Sequence, residues 1–101
     1  EYFDTHPRID ISFELGGVVI ENGKRLDEKF LKHEAEMLKV TLENEGVLTK
    51  EKISDVRWGE NSYEKFSDQA IKKIILRINK KLEKYVFVAV PTIGYKLIER
   101  V

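Results

Sequence analysis

The chain has 101 residues, of which 42% are hydrophobic and 36% charged, and it contains no cysteine. This is enough apolar material for one small core and too much for a disordered chain. The lack of cysteine excludes a disulfide framework, and with only His6 and His33 as histidines it argues against a zinc site.

Positive and negative charges balance over the whole chain but are separated along it. Residues 1–68 carry a net charge of −6, and residues 69–101 carry a net charge of +6. A domain whose positive charge is gathered at one end can bind a polyanion locally. No apolar run reaches the roughly 20 residues of a membrane span. The chain does not begin with methionine, so we expect it to be a piece of a longer protein.

The first thirty residues predict a small antiparallel sheet. Residues 9–15 alternate apolar and polar side chains, as in a half-buried strand. One face of this strand carries Ile9, Ile11, Phe13 and Leu15. Gly16 and Gly17 interrupt this strand. The next segment, residues 18–26, has Asn22-Gly23 at its centre, and Asn-Gly is the strongest short hairpin signal because both positions tolerate positive φ.

Two short helices are predicted to follow. Residues 31–46 carry an apolar stripe, widened by Met37 and Val40, that consists of Leu31, Ala35, Leu38 and Leu42. Gly46 is a natural stop. Residues 47–59 predict a second helix that begins at once, with Thr49 as its N-cap and Gly59 at its end.

The third predicted helix is the longest, at residues 68–84, with Ser67 or Asp68 as its cap. Its apolar positions lie within about 100° of arc and are Ile71, Ile74, Ile75, Ile78 and Leu82. A polar loop at residues 60–66 precedes it. Two strands around Pro91 and Gly94 complete the chain as a β-hairpin.

This order of elements predicts an α+β fold, namely a winged helix-turn-helix with an N-terminal antiparallel sheet, three helices and a C-terminal β-hairpin wing. We interpret residues 1–101 as a single domain. Its parts are an N-terminal sheet at residues 1–30, a three-helix core at residues 31–84 and the wing at residues 85–101. The third helix is then expected to be the recognition helix.

From about Gly17 to Val101 the sequence resembles the DNA-binding domain of OmpR/PhoB-type transcription regulators. The resemblance rests on VLTKEKISDVRWG, on the apolar ladder of the third helix, and on VAVPTIGYKLI with its Gly94-Tyr95 pair. The form of the wing is most similar to the ToxR/CadC branch. That resemblance implies a cytoplasmic domain of an inner-membrane regulator of virulence or stress genes, with a membrane span after Val101. A soluble two-component response regulator is the alternative within the family.

The outward face of the third helix supplies the predicted DNA contacts, since no acidic residue lies between Asp68 and Glu83. The mixture of side chains suited to base edges is Gln69, Lys72, Lys73 and Leu76. Arg77, Lys80 and Lys84 are better placed for phosphates. At the wing the candidates are Thr92, Ile93 and Lys96. The alternative is a solvated lysine-rich face with an ordinary exposed leucine and an ordinary hairpin turn.

Other roles follow from the same interpretation. In this family the loop before the third helix often contacts RNA polymerase, so candidate contacts are Glu60, Tyr63 and Glu64. Trp58 and Tyr95 are expected to pack on the core. No catalytic or metal-binding pattern is present in the sequence, so we expect no enzyme activity and no cofactor. Binding as a homodimer or in tandem on double-stranded DNA is expected. A protein-interaction module is the rival from another class.

Overall fold

Three helices and two three-stranded antiparallel sheets make up the computed structural model, which describes residues 9–59 and 67–100. The protein is therefore an α+β protein, as the sequence predicted. Among the described residues, no helix has the length and apolar character needed to cross a membrane.

The N-terminal sheet consists of β1 (Ile11–Glu14), β2 (Val18–Glu21) and β3 (Lys24–Arg25), in that spatial order. The hairpin between β2 and β3 turns at Asn22 and Gly23, whose φ angles are 51° and 81°. Two successive positive φ angles match the twist of the flanking strands, which is why Asn-Gly is favoured there. The predicted hairpin is confirmed.

The turn between β1 and β2 departs from the prediction. We expected Leu15 on the buried face of the first strand, but β1 ends at Glu14 and the Leu15 side chain is 97% exposed. The turn is fixed by Gly17, whose carbonyl oxygen accepts a hydrogen bond of 2.8 Å from the Phe30 N–H. A Cβ on Gly17 would collide with the Phe30 carbonyl oxygen, so the close approach requires glycine.

The first helix, α1 (Lys32–Glu43), buries a stripe that lies one residue away from the predicted stripe. The buried side chains include Met37 and Leu38, but also Glu34 and Thr41, whereas Leu31 is the N-cap and is half exposed. Glu34 accepts hydrogen bonds at Oε1 from the Leu31 N–H at 2.8 Å and from Lys81 Nζ at 2.7 Å. Both donors bond Oε1, whereas Oε2 is buried without a hydrogen-bond partner, so the ion pair with Lys81 offsets only part of the cost of burying this carboxylate.

The segment predicted as the second helix, residues 47–59, divides into a short strand and a helix. Residues Val47–Thr49 form a strand, β4, that pairs with the last strand of the chain, and α2 (Lys50–Trp58) follows it directly. Thr49 is the N-cap, as predicted, and its Oγ1 accepts from the Lys52 N–H at 3.1 Å. Gly59 ends the helix with a φ of 106°.

The third helix, α3 (Asp68–Lys81), ends three residues before the predicted position. Ser67 is its N-cap and accepts from the Ala70 N–H at 3.3 Å, while Leu82 has extended backbone and forms the C-cap. All five predicted apolar positions are buried: Ile71, Ile74, Ile75, Ile78 and Leu82. Lys84 therefore lies beyond the helix, in the connection to the next strand, and its placement on the helix was wrong.

The C-terminal hairpin consists of β5 (Tyr85–Val90) and β6 (Gly94–Glu99), and with β4 it forms a sheet in the order β4-β6-β5. The hairpin was predicted, whereas the pairing of its second strand with β4 was not. A Cβ on Gly94 would lie 2.5 Å from the Leu48 carbonyl oxygen, so β4 and β6 approach closely because residue 94 is glycine.

A buried carboxylate joins the N-terminal sheet to the segment between α3 and β5. Glu21 is 1% exposed and accepts hydrogen bonds from the backbone N–H groups of Glu83 and Tyr85, each at 3.1 Å. The Tyr85 hydroxyl donates to Asn22 Oδ1 at 3.0 Å and accepts from the Asp10 N–H at 3.0 Å. These contacts fix the end of α3 against the first sheet.

Candidate nucleic-acid interface

The exposed face of α3 carries the candidate residues together. All six candidates on this helix are exposed: Gln69, Lys72, Lys73, Leu76, Arg77 and Lys80. They follow one another at intervals of three, one, three, one and three residues, so at 3.6 residues per turn they form one continuous stripe. The stripe lies opposite the isoleucines that anchor the helix in the core.

The cations of this face lack ion-pair partners in the part of the chain that the structure describes. Within the described residues, no ion pair involves Lys72, Lys73, Arg77 or Lys80. Asp68, the acidic residue of the helix, is at its first position and pairs with Lys50 at 3.3 Å. Positive charge that has no ion-pair partner among these residues is available to an external anion.

Lys81 is different from the other lysines of α3, because it is mostly buried and has partners. Its Nζ contacts Glu34 Oε1 at 2.7 Å and the Lys29 carbonyl oxygen at 3.0 Å, and it lies 5.5 Å from the centroid of the Phe30 ring. These contacts attach the end of α3 to the start of α1. Lys81 therefore positions the exposed face and is not part of it.

Asn79 fixes the angle between α3 and the C-terminal hairpin. Its Nδ2 donates to the Phe87 carbonyl oxygen at 3.1 Å, and its Oδ1 accepts from the Phe87 N–H at 2.8 Å. On the same side, the Arg100 guanidinium donates to the Asn79 carbonyl oxygen at 2.7 Å. The Asn79 side chain thus joins α3 to the hairpin through the N–H and the carbonyl oxygen of Phe87 in β5.

The tip of the hairpin lies beside the start of α2. Thr92 and Ile93 line a shallow cavity of about 390 Å³ together with Thr49, Lys50 and Glu51. Thr92 has a φ of 65°, and the side chains of Thr92 and Ile93 are both exposed. The two predicted tip residues are therefore accessible and adjacent to a helix terminus.

Tyr95 and the Lys50–Asp68 pair bring the hairpin, α2 and α3 together. Burial raises the pKa of the Tyr95 phenol above its ordinary value, and the charges of Lys50 and Asp68 act on that pKa in opposite directions. Tyr95 and Trp58 are both partly buried and pack against the core, as predicted. The starts of α2 and α3 thus meet at the hairpin.

The remaining lysine candidates lie outside the helical stripe. Lys96 is exposed on β6, the central strand of its sheet, opposite Val47 and Val88. Lys84 is exposed after the end of α3, and its carbonyl oxygen accepts from the Arg100 N–H at 2.8 Å. The structure therefore groups the six helical residues, groups Thr92 with Ile93, and leaves Lys84 apart from the helix.

Arg57 is a residue that sequence reasoning missed. It is exposed near the end of α2, 5.7 Å from the centroid of the Trp58 ring. Burial lowers the pKa of His33 below 6.5, and the positive charges of Arg57, Arg77 and Lys81 lower it further, while Glu34 opposes them. The cations of two helices, α2 and α3, therefore act on one imidazole, which places Arg57 within electrostatic range of the α3 cations.

Two other predictions concern contacts with RNA polymerase and the binding of metal ions. The candidate polymerase contacts Glu60, Tyr63 and Glu64 lie outside the described residues. Within residues 9–59 and 67–100, no group of three or more His, Cys, Asp or Glu side chains could hold a metal ion.

Comparison of the chain with protein-family models, with curated proteins and with solved structures found no match.

Proposed function

We propose that this chain is a winged helix-turn-helix domain that binds promoter DNA sequence-specifically in a bacterial transcription regulator. The order α1, β4, α2, α3, β5, β6 supports this proposal. It supplies a helix pair followed by a hairpin, and β4 joins the hairpin in one sheet. In this arrangement α2 and α3 form the helix-turn-helix, α3 is the recognition helix, and the hairpin is the wing.

The exposed face of α3 is the observation that carries the proposal. Four cations that have no ion-pair partner among the described residues share this face with two uncharged side chains, Gln69 near the start of the helix and Leu76 near its middle. An α-helix of about 10–12 Å diameter fits the major groove of B-DNA, which is about 12 Å wide. The face therefore offers charge to the phosphates and mixed chemistry to the base edges.

Each side chain has a role that follows from its chemistry. Lys72 and Lys73 reach guanine edges or phosphates, and Gln69 pairs with adenine. Arg77 and Lys80 contact the phosphates toward the end of the helix, and Arg57 extends this contact to α2. Thr92, Ile93 and Lys96 meet the adjacent minor groove or its phosphates from the wing.

The finer parts of the proposal rest on the resemblance to ToxR/CadC-like regulators. In that case the domain is the cytoplasmic part of an inner-membrane protein that controls virulence or stress genes. One domain offers one recognition helix, so we propose that it binds repeated half-sites as a homodimer or in tandem. Glu60, Tyr63 and Glu64 are the proposed contacts with RNA polymerase.

Selection of bound sequences from a random duplex pool tests the proposal. The variants are Lys73→Ala and Arg77→Ala, and the matched control is Lys32→Ala, which removes an exposed lysine from α1 beside the N-terminal sheet. We expect an enriched motif for the wild type and the control, and weaker binding for the two α3 variants with unchanged circular dichroism. No enrichment by a folded wild-type domain would refute sequence-specific binding and favour the protein-interaction module.

Salt dependence tests the electrostatic part independently. Each phosphate contact contributes about 0.9 to the slope of log K against log salt concentration, so Arg77→Ala should reduce the slope by about one. A flat salt response of the wild type would contradict an interface that follows phosphates.

A further inference from the structure

Leu76 is an exposed apolar side chain in the middle of a basic helix face. It is 50% exposed, although the isoleucines of the same helix are buried. Within α3, all of which the structure describes, no other large apolar side chain is exposed. Its neighbours one turn away on the exposed stripe are Lys72, Lys73 and Lys80. Leu76 does not pack in the core, because the isoleucines of α3 occupy the buried side of the helix.

The position of Leu76 suits the reading of bases. In the homeodomain, whose third helix lies in the major groove, the base-reading residues fall at i, i+3, i+4 and i+7. Gln69, Lys72, Lys73 and Leu76 have this spacing. Leu76 also lies close to the direction opposite the buried arc at about 100° per residue, and therefore points where the groove floor would be.

The chemistry of leucine restricts what it can read. A leucine side chain has no donor or acceptor, so it cannot distinguish the polar patterns of the base edges. Among the four bases of DNA, thymine alone presents an apolar group in the major groove, the methyl group at C5. Contact with that methyl group removes apolar surface of both partners from water.

From this exposure, spacing and chemistry, we infer that Leu76 selects thymine at one position of the bound sequence through the C5 methyl group. The inference rests on the proposed DNA binding and adds to it the identity of one base and the residue that reads it. The flanking lysines supply charge and do not supply this selectivity.

Replacement of thymine by uracil tests the inference, because uracil lacks only the methyl group. Each thymine of the selected duplex is replaced in turn, and dissociation constants are measured for the wild type, for Leu76→Ala and for Leu15→Ala. The last variant is the control, since Leu15 is also an exposed leucine but lies on the turn between β1 and β2. Circular dichroism confirms that each variant is folded.

We expect one thymine whose replacement weakens wild-type binding about fourfold, which corresponds to about 0.8 kcal/mol for one methyl group. Leu15→Ala should lose the same affinity as the wild type when that thymine is replaced. Leu76→Ala should bind the thymine and uracil duplexes equally, because the effect of the methyl group depends on the Leu76 side chain.

If Leu76→Ala loses as much affinity as the wild type at every replaced thymine, or if the wild type loses none, the inference is overturned while DNA binding stands. If the wild type enriches no duplex, the proposed function itself fails and the inference fails with it.

Discussion

Replacement of Asn79 by alanine should destabilise the protein by removing the link between α3 and the C-terminal hairpin. The side chain satisfies both the N–H and the carbonyl oxygen of Phe87, at 2.8 and 3.1 Å. Each unsatisfied buried polar group costs about 1–3 kcal/mol, and the partial exposure of this site admits some water. We therefore expect Asn79→Ala to lower the free energy of unfolding by about 2–3 kcal/mol.

Urea unfolding followed by far-UV circular dichroism measures this loss. With a slope of about 1–3 kcal/mol per molar urea, the midpoint should fall by about 1–2 M. Asn79→Asp keeps the acceptor for the Phe87 N–H but loses the donor, so it should fall between the wild type and alanine. Lys80→Ala, at an exposed neighbour, should change stability by less than about 0.5 kcal/mol. If Asn79→Ala is no more destabilising than Lys80→Ala, the two hydrogen bonds do not connect these elements.

Three further predictions concern other contacts. Lys81→Ala leaves Glu34 buried without its cation, so the free energy of unfolding in urea should fall by about 3–5 kcal/mol. A decrease as small as that for Lys80→Ala would contradict a buried ion pair. Gly94→Ala places a Cβ at a strained φ and against the Leu48 carbonyl oxygen, so thermal unfolding should show a loss of stability of about 3 kcal/mol or more. The control is Gly23→Ala, where a Cβ meets nothing within 4 Å and the expected loss is about 1 kcal/mol. Equal losses in the two variants would refute the close approach at Gly94. The pKa of His33 is lowered in the folded state, so that state binds fewer protons than the unfolded chain and loses stability as the pH falls below 6.5. His33→Gln should therefore lose less stability than the wild type when the pH is lowered from about 8 to about 5.5. The same pH dependence in both proteins would refute a contribution from the titration of His33.

Features set by neighbouring residues could be predicted from the sequence. Asn22-Gly23 accepts two positive φ angles, and Thr49 and Ser67 cap helices through N–H groups three residues away. The isoleucines of α3 repeat at helical intervals, so their burial follows from the period alone. In each case the physical cause lies within a few positions along the chain.

Features set by distant partners could not be predicted. Glu34 is buried beside Lys81, which lies 47 residues later in the chain and supplies its cation. With Glu34 on the buried side of α1, Leu31 lies at the surface. β4 has three residues and becomes a strand because β6 pairs with it. An apolar run as short as Val47-Leu48 is compatible with a helix or a strand, and only the partner decides between them.

The candidate site divides in the same way. The exposure of Leu76 and of the α3 cations follows from the helical period, so the sequence could place the face. The placement of Thr92 and Ile93 beside the start of α2, and of Arg57 within electrostatic range of the α3 cations, depends on how separate elements pack. No local signal distinguishes Arg57 from the other charged residues of α2, so that residue was missed.

The buried Glu21 carboxylate has a consequence for the order in which the protein is made. Its hydrogen bonds to the N–H groups of Glu83 and Tyr85 span 62 and 64 residues, so the first sheet cannot reach its final position until those residues exist. Contacts this distant in sequence form slowly, since a long loop must close before they stabilise anything. At about 5–20 residues per second, the ribosome needs several seconds to deliver residue 85 after residue 21. During that interval the Glu21 side chain lacks these backbone donors, and water solvates its carboxyl group until they emerge.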